Sequence, residues 1–73
     1  MFRLPKFYGK RSVKLAFEFG LVVSEVAKDK GIELTPEISE RAEKIFVSEL
    51  NQYGLQQTAL NFIPMTLATF ETK

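Results

Sequence analysis

Residues 10–17 read Lys-Arg-Ser-Val-Lys-Leu-Ala-Phe, and the spacing of apolar side chains in this stretch decides the fold that the sequence predicts. Val13, Leu15 and Phe17 alternate with smaller or polar residues, which is the period of a half-buried β-strand. A disordered tail has no reason to segregate apolar residues in this way. We therefore expect a strand here, preceded by a basic arm over residues 1–9.

Charge is distributed unevenly along the chain. Five of the ten basic residues lie in the first fourteen positions without an acidic residue among them, which leaves five bases against nine acids in the rest. A cationic segment beside an acidic body indicates a polyanionic partner, and nucleic acid is the first candidate. The five basic residues are Arg3, Lys6, Lys10, Arg11 and Lys14.

The composition excludes several classes of protein. Cysteine and histidine are both absent, so we expect no disulfide and no zinc site. Since the sequence also lacks a Gly-rich phosphate loop and a carboxylate pair in an apolar context, we expect no catalytic residues, no cofactor and no small-molecule substrate. The sequence has neither a signal peptide nor 18 consecutive apolar residues, which predicts a cytoplasmic protein without membrane contact. A chain of 73 residues hides only about 60% of its unfolded surface, so a second subunit is expected to complete the core.

Three helices are expected after the strand. The first covers residues 18–30 and ends at Gly31, and the second covers residues 35–53 and is closed by Gly54. Thr35 is a suitable N-cap for the second helix because a proline and an acidic residue follow it. The exposed carboxylates of this helix each have a basic residue one turn later, as in Glu37 with Arg41 and Glu40 with Lys44, which favours a solvated face over a catalytic cluster.

The third helix is expected over residues 55–70, kinked or split near Pro64. There is no charged residue from Leu50 to Phe70, so this helix either packs into the core on several sides or forms a docking surface for another protein. The apolar arc assigned to it consists of Leu55, Ala59, Phe62, Ile63, Thr66 and Phe70, widened by Leu60 and Leu67.

A single strand leaves its backbone groups unpaired, so residues 10–17 need a partner strand. Two copies of the chain can pair their strands about a twofold axis, which predicts a homodimer with an intermolecular antiparallel ribbon. The alternative is an internal hairpin in which residues 3–8 fold back across Gly9-Lys10, although Pro5 limits that strand to an edge. We favour the intermolecular ribbon.

This order of elements resembles the ribbon-helix-helix DNA-binding family, which includes the Arc and methionine repressors. The resemblance covers roughly residues 10–54: the alternating strand, a helix ending Ala-Lys-Asp-Lys-Gly at residue 31, and a capped helix with Glu37-Ile38 and residues 41–46. The small size, the third helix and the lack of cysteine are also similar to compact ribbon-helix-helix proteins of spindle-shaped archaeal viruses. That likeness implies a viral protein acting in the host cytoplasm.

The resemblance implies a mainly α fold with one short strand, dimeric through the ribbon, that binds double-stranded DNA and is not an enzyme. In the family the ribbon enters the major groove and contacts base edges. We expect DNA binding by this chain to be weakly sequence-specific, because no planar bidentate side chain projects from its ribbon. A transcriptional regulator or a DNA-coating factor is expected. The alternative is a protein–protein interaction module, an adaptor or antitoxin-like protein, acting through the uncharged third helix. The candidate DNA-binding residues are Lys10, Ser12 and Lys14 at the bases, and Arg11, Arg3, Lys6 and Thr35 at the phosphates.

Overall fold

The computed structural model describes residues 9–71, which form three helices: α1 (Gly9–Lys30), α2 (Pro36–Leu60) and α3 (Phe62–Phe70). Each helix packs against the other two. The expectation of a mainly α protein is confirmed. The expected strand and the ribbon-helix-helix dimer are wrong, because no strand occurs within the described part of the chain and that fold requires a β-ribbon. The arm expected over residues 1–9 lies almost wholly outside the described residues.

Residues 10–17 belong to α1, and their inward face consists of small side chains. Ser12, Ala16 and Gly20 recur every four residues and are buried. The buried side of α1 therefore runs through the stretch that we expected to be a strand. Val13 and Phe17 are instead 53% and 50% exposed. Since a helix pairs its own backbone groups, this segment needs no partner strand, and both the intermolecular ribbon and the internal hairpin are excluded.

The connection between α1 and α2 is closed by a cap on each side. Gly31 has φ 69° and its N–H donates to the Lys28 carbonyl at 3.1 Å, while the Ile32 N–H donates to the Ala27 carbonyl at 2.8 Å. This is the Schellman arrangement that ends many helices at glycine. At the start of α2 the Thr35 hydroxyl accepts a hydrogen bond from the Ile38 N–H at 3.3 Å, which confirms Thr35 as the N-cap.

The second half of α2 departs from a regular helix at Gly54. This residue has φ 87° and ψ 177°, so α2 consists of two helical segments, residues 36–53 and 55–60. The Thr58 hydroxyl donates to the Gly54 carbonyl at 2.7 Å. The break before α3 lies at Asn61, and Pro64 is the third residue of α3, where a missing N–H removes no bond within that helix.

The core is built around three phenylalanine rings, one from each helix. Phe19 stacks on Phe46 with ring centroids 5.7 Å apart, and it contacts Phe62 at 5.3 Å with the ring planes inclined by 50°. Aromatic pairs at these separations add to the stabilisation from buried area. The remaining buried members of this core are Ala16, Val23, Ala42, Leu50 and Met65.

Two polar contacts hold α3 against α2. The Arg41 guanidinium donates through Nη1 to the Thr69 carbonyl at 2.9 Å, near the C-terminal end of α3 where a cation is favoured. The sequence predicted an outward pair between Arg41 and Glu37, whereas Arg41 is half-buried and turned towards α3. At the other end of α3, the Asn61 amide donates to the Glu49 carboxylate at 2.6 Å.

Helical and extended backbone at residues 10–17 predict opposite outcomes for two neighbouring substitutions. Ala16→Glu places a carboxylate in the core, since Ala16 is 2% exposed, and should lower the free energy of unfolding by about 3 kcal/mol. Phe17→Glu, on the exposed face, should change it by less than about 1 kcal/mol. Urea unfolding followed by circular dichroism measures both. The reverse order would contradict α1, because a strand would bury Phe17 and expose Ala16.

The unusual backbone conformation of Gly54 predicts that substitution by alanine destabilises the protein more there than at another positive-φ glycine. At φ 87° and ψ 177° the conformation is nearly exclusive to glycine, so Gly54→Ala should lower the free energy of unfolding by about 2–3 kcal/mol. Gly31→Ala is the control and should cost about 1 kcal/mol, because alanine can enter the left-handed region. A Cβ atom would meet nothing within 4 Å at either site, so the difference is conformational. Equal unfolding free energies for Gly54→Ala and Gly31→Ala would show that α2 is a regular helix through residue 54.

Candidate nucleic-acid interface

Three cations lie at the start of α1 and form a surface that we call the basic patch: Lys10, Arg11 and Lys14. All three side chains are exposed. Lys10 and Lys14 are one helical turn apart, about 6 Å along the axis, and Arg11 is rotated from them around the helix. Long, flexible cations spaced in this way can contact phosphate groups without a fixed geometry.

The basic patch opposes the stability of the helix that carries it. The N-terminal end of a helix has a partial positive charge, and α1 has no acidic residue in its first turn to balance it. Each cation there costs a few tenths of a kcal/mol at low ionic strength. Helix stability therefore does not account for the basic residues. An anionic partner would instead be attracted both by these side chains and by the positive end of the helix dipole.

The two sides of the basic patch differ in chemistry. On one side Arg11 and Lys14 line a shallow recess of about 450 Å³ between α1 and α2, where Glu18 contributes an opposing carboxylate. On the other side Lys10 and Lys14 border the exposed apolar residues Val13 and Phe17. Among the described residues that line these two sides, an acidic side chain thus adjoins the cations only on the side of Arg11.

The structure brings only part of the predicted site together. Ser12 is 4% exposed and faces the core, so its hydroxyl does not project beside Lys10 and Lys14 as a strand would require. Thr35 follows the C-terminal end of α1 and therefore lies roughly 30 Å from the basic patch. Arg3 and Lys6 lie outside the described residues.

Neither a metal site nor a membrane-spanning helix is found between residues 9 and 71. No group of three or more acidic, cysteine or histidine side chains there is arranged to hold a metal ion. None of the three helices combines the length and the apolarity needed to cross a bilayer.

An apolar surface on α3 was assigned to the wrong side by sequence reasoning. Leu60, Ile63 and Leu67 were expected within the inward arc, but they are 73%, 72% and 57% exposed. The buried positions of α3 are Met65, Thr66 and Thr69. The sequence signal was the long stretch without charge, which locates this surface on the chain but does not show which side of the helix turns outward.

The conflict between the basic patch and the helix dipole predicts that a charge reversal stabilises the protein. Lys10→Glu should raise the free energy of unfolding by about 1 kcal/mol at low ionic strength, and the gain should shrink as salt screens it. Lys28→Glu, in the last turn of α1, is the control and should lower stability because it places an anion at the negative end. Thermal unfolding at two salt concentrations measures both effects. A lower melting temperature for Lys10→Glu would show that Lys10 supports the fold.

Comparison with known proteins adds no relative from which a function could be transferred. No protein-family model matches the chain, and no curated protein or solved structure matches it. None of these comparisons supports the resemblance to ribbon-helix-helix proteins. The ribbon that defines that fold is also missing between residues 9 and 71. The function has to be argued from the surface of the three helices.

Proposed function

We propose that this protein binds double-stranded DNA through the basic patch at the start of α1. The observation that carries the proposal is the exposure of Lys10, Arg11 and Lys14 on the first turns of a helix whose own dipole disfavours them. A duplex presents a dense row of phosphates, and neutralising them releases bound counterions, which drives association. The sequence adds Arg3 and Lys6 to the same end of the chain.

The contacts in this proposal are to the phosphate backbone. No strand occurs among residues 9–71 to enter the major groove, and the buried Ser12 hydroxyl is not free to read a base. Lysine and arginine at a helix start bind phosphate oxygens together with backbone N–H groups, and such contacts carry little sequence information. Binding is therefore sequence-tolerant and strongly dependent on salt.

A salt titration with a matched control tests the proposal. The variant with Arg11→Gln and Lys14→Gln should bind duplex DNA more weakly and should reduce the slope of log K against log salt by about 1.8, or about 0.9 per lost phosphate contact. Lys44→Gln removes an exposed cation from α2 and should leave affinity and slope close to those of the parent. Fluorescence anisotropy with a short duplex supplies the readout, and circular dichroism verifies that each variant is folded.

Two results would overturn this function. The first is an unchanged slope in the folded double variant. The second is an equal loss of affinity in Lys44→Gln, because that would reflect net charge and not the basic patch. Two duplexes of unrelated sequence should be bound with similar affinity, since phosphate contacts do not discriminate between them.

A second candidate is the protein–protein interaction module, which the outward apolar side of α3 favours. Leu60, Ile63 and Leu67 give it a surface without charged neighbours in sequence. Asn61, the polar residue between Leu60 and α3, is half-buried and donates a hydrogen bond to Glu49, so its substitution would disturb the α2–α3 turn. The three apolar residues are the appropriate positions for testing a docking role.

A further inference from the structure

Helix α3 is apolar on the side that faces away from the core. Its exposed positions are Ile63, Pro64, Leu67 and Ala68, and Leu60 extends this surface from the end of α2. We call these five residues the α3 face. The only polar side chains of helix α3, Thr66 and Thr69, are buried. A helix that is apolar on both sides is typical of an element covered on both sides.

The polar side chains on the inward side of α3 already have hydrogen-bond partners. The Thr66 hydroxyl donates to the Phe62 carbonyl at 2.7 Å, and the Thr69 hydroxyl donates to the Met65 carbonyl at 2.9 Å. No side-chain polar atom buried among the described residues lacks a hydrogen-bond partner. The apolar area that remains in water therefore lies outward, and burying it would contribute about 25 cal/mol for each Å².

We propose that the α3 face is covered by the α3 face of a second copy of this chain, related by a twofold axis. Charge is the first argument. In a twofold interface each surface meets itself, so a charged residue near the axis approaches its own like charge. In a chain with 26% charged residues, the stretch from Leu50 to Phe70 has none. A different protein partner would gain encounter rate and specificity from complementary charges, and the α3 face offers none.

Shape is the second argument for a second copy. Ile63 and Leu67 form a ridge, and Pro64 and Ala68, one position later, border a shallow groove between α3 and α2 of about 240 Å³. The ridge of each copy can therefore enter the groove of the other, as helix packing by ridges and grooves requires. Glu49 also lines this groove, and its carboxylate accepts a hydrogen bond from the Asn61 amide.

The size of the surface sets the expected strength of this dimer. A stable interface buries roughly 800 Å² on each partner, which is more than five side chains supply, so the rest must come from the groove and from neighbouring α2 residues. We expect association in the micromolar range. The dimer does not depend on DNA binding, because the α3 face and the basic patch share no residue.

Sedimentation equilibrium without DNA, from low micromolar to hundreds of micromolar protein, tests the proposal. The parent should approach twice the mass of the chain. Leu67→Lys and Ile63→Lys should each weaken association at least tenfold, because each places two lysines in one apolar interface. Leu21→Lys is the matched control: it makes the same kind of change at a 50% exposed residue of α1, compared with 57% for Leu67, and should dimerise like the parent.

Each outcome separates this inference from the DNA-binding function. The Arg11→Gln and Lys14→Gln double variant should dimerise normally, so loss of DNA binding leaves the dimer intact. A parent that stays monomeric at the highest concentration would overturn the proposal and leave the α3 face to another protein. Dimers that survive Leu67→Lys and Ile63→Lys but dissociate in Leu21→Lys would also overturn it, because the interface would then lie on α1. Circular dichroism verifies the fold of every variant.

Discussion

The contact of Phe19 with one ring from each of the other helices is the interaction on which the structure depends. Phe19 and Phe46 are 0% exposed, and Phe62 completes the group from α3. Three of the six other buried apolar residues in residues 9–71 are alanines, whose side chains are small. These three rings therefore supply a large share of the packing, and their positions fix how each helix is rotated about its axis.

The rotation set by these rings determines what each helix presents to solvent. Successive residues of a helix are separated by about 100°, so an inward Phe62 directs Ile63 away from the core. On α1 the same constraint turns Ser12 and Ala16 inward beside Phe19, and the cations of the basic patch outward. The orientation of both candidate surfaces thus follows from the contact of these three rings.

The sequence predicted the caps better than it predicted the first element. Thr35 before a proline specifies a helix start by local chemistry alone, and the structure has that cap. The stretch at 10–17 was misread because Val13, Leu15 and Phe17 satisfy a two-residue period, while the helical signal was carried by Ser12, Ala16 and Gly20, whose small side chains score weakly as apolar. Tertiary packing decided between the two periods, and no local propensity reports such packing.

The candidate surfaces were predictable to different degrees. The concentration of positive charge at the start of the chain is visible in the sequence, but whether Ser12 joins it depends on the period of the backbone. For α3, the absence of charge was visible and the predicted inward arc included Thr66, whereas the burial of Thr69 was not predicted. Those hydroxyls bond carbonyls one turn earlier in their own helix, so threonine can face the core without a distant partner.

The bond from Arg41 to the Thr69 carbonyl has a consequence for how the protein is made. The acceptor and Phe62 both belong to α3, the last of the described helices. A nascent chain whose α3 is still inside the ribosome lacks both the third ring and the carbonyl that Arg41 requires. Assembly of the native bundle therefore awaits the emergence of α3, and fragments ending before α3 leave an aromatic surface for chaperones to recognise.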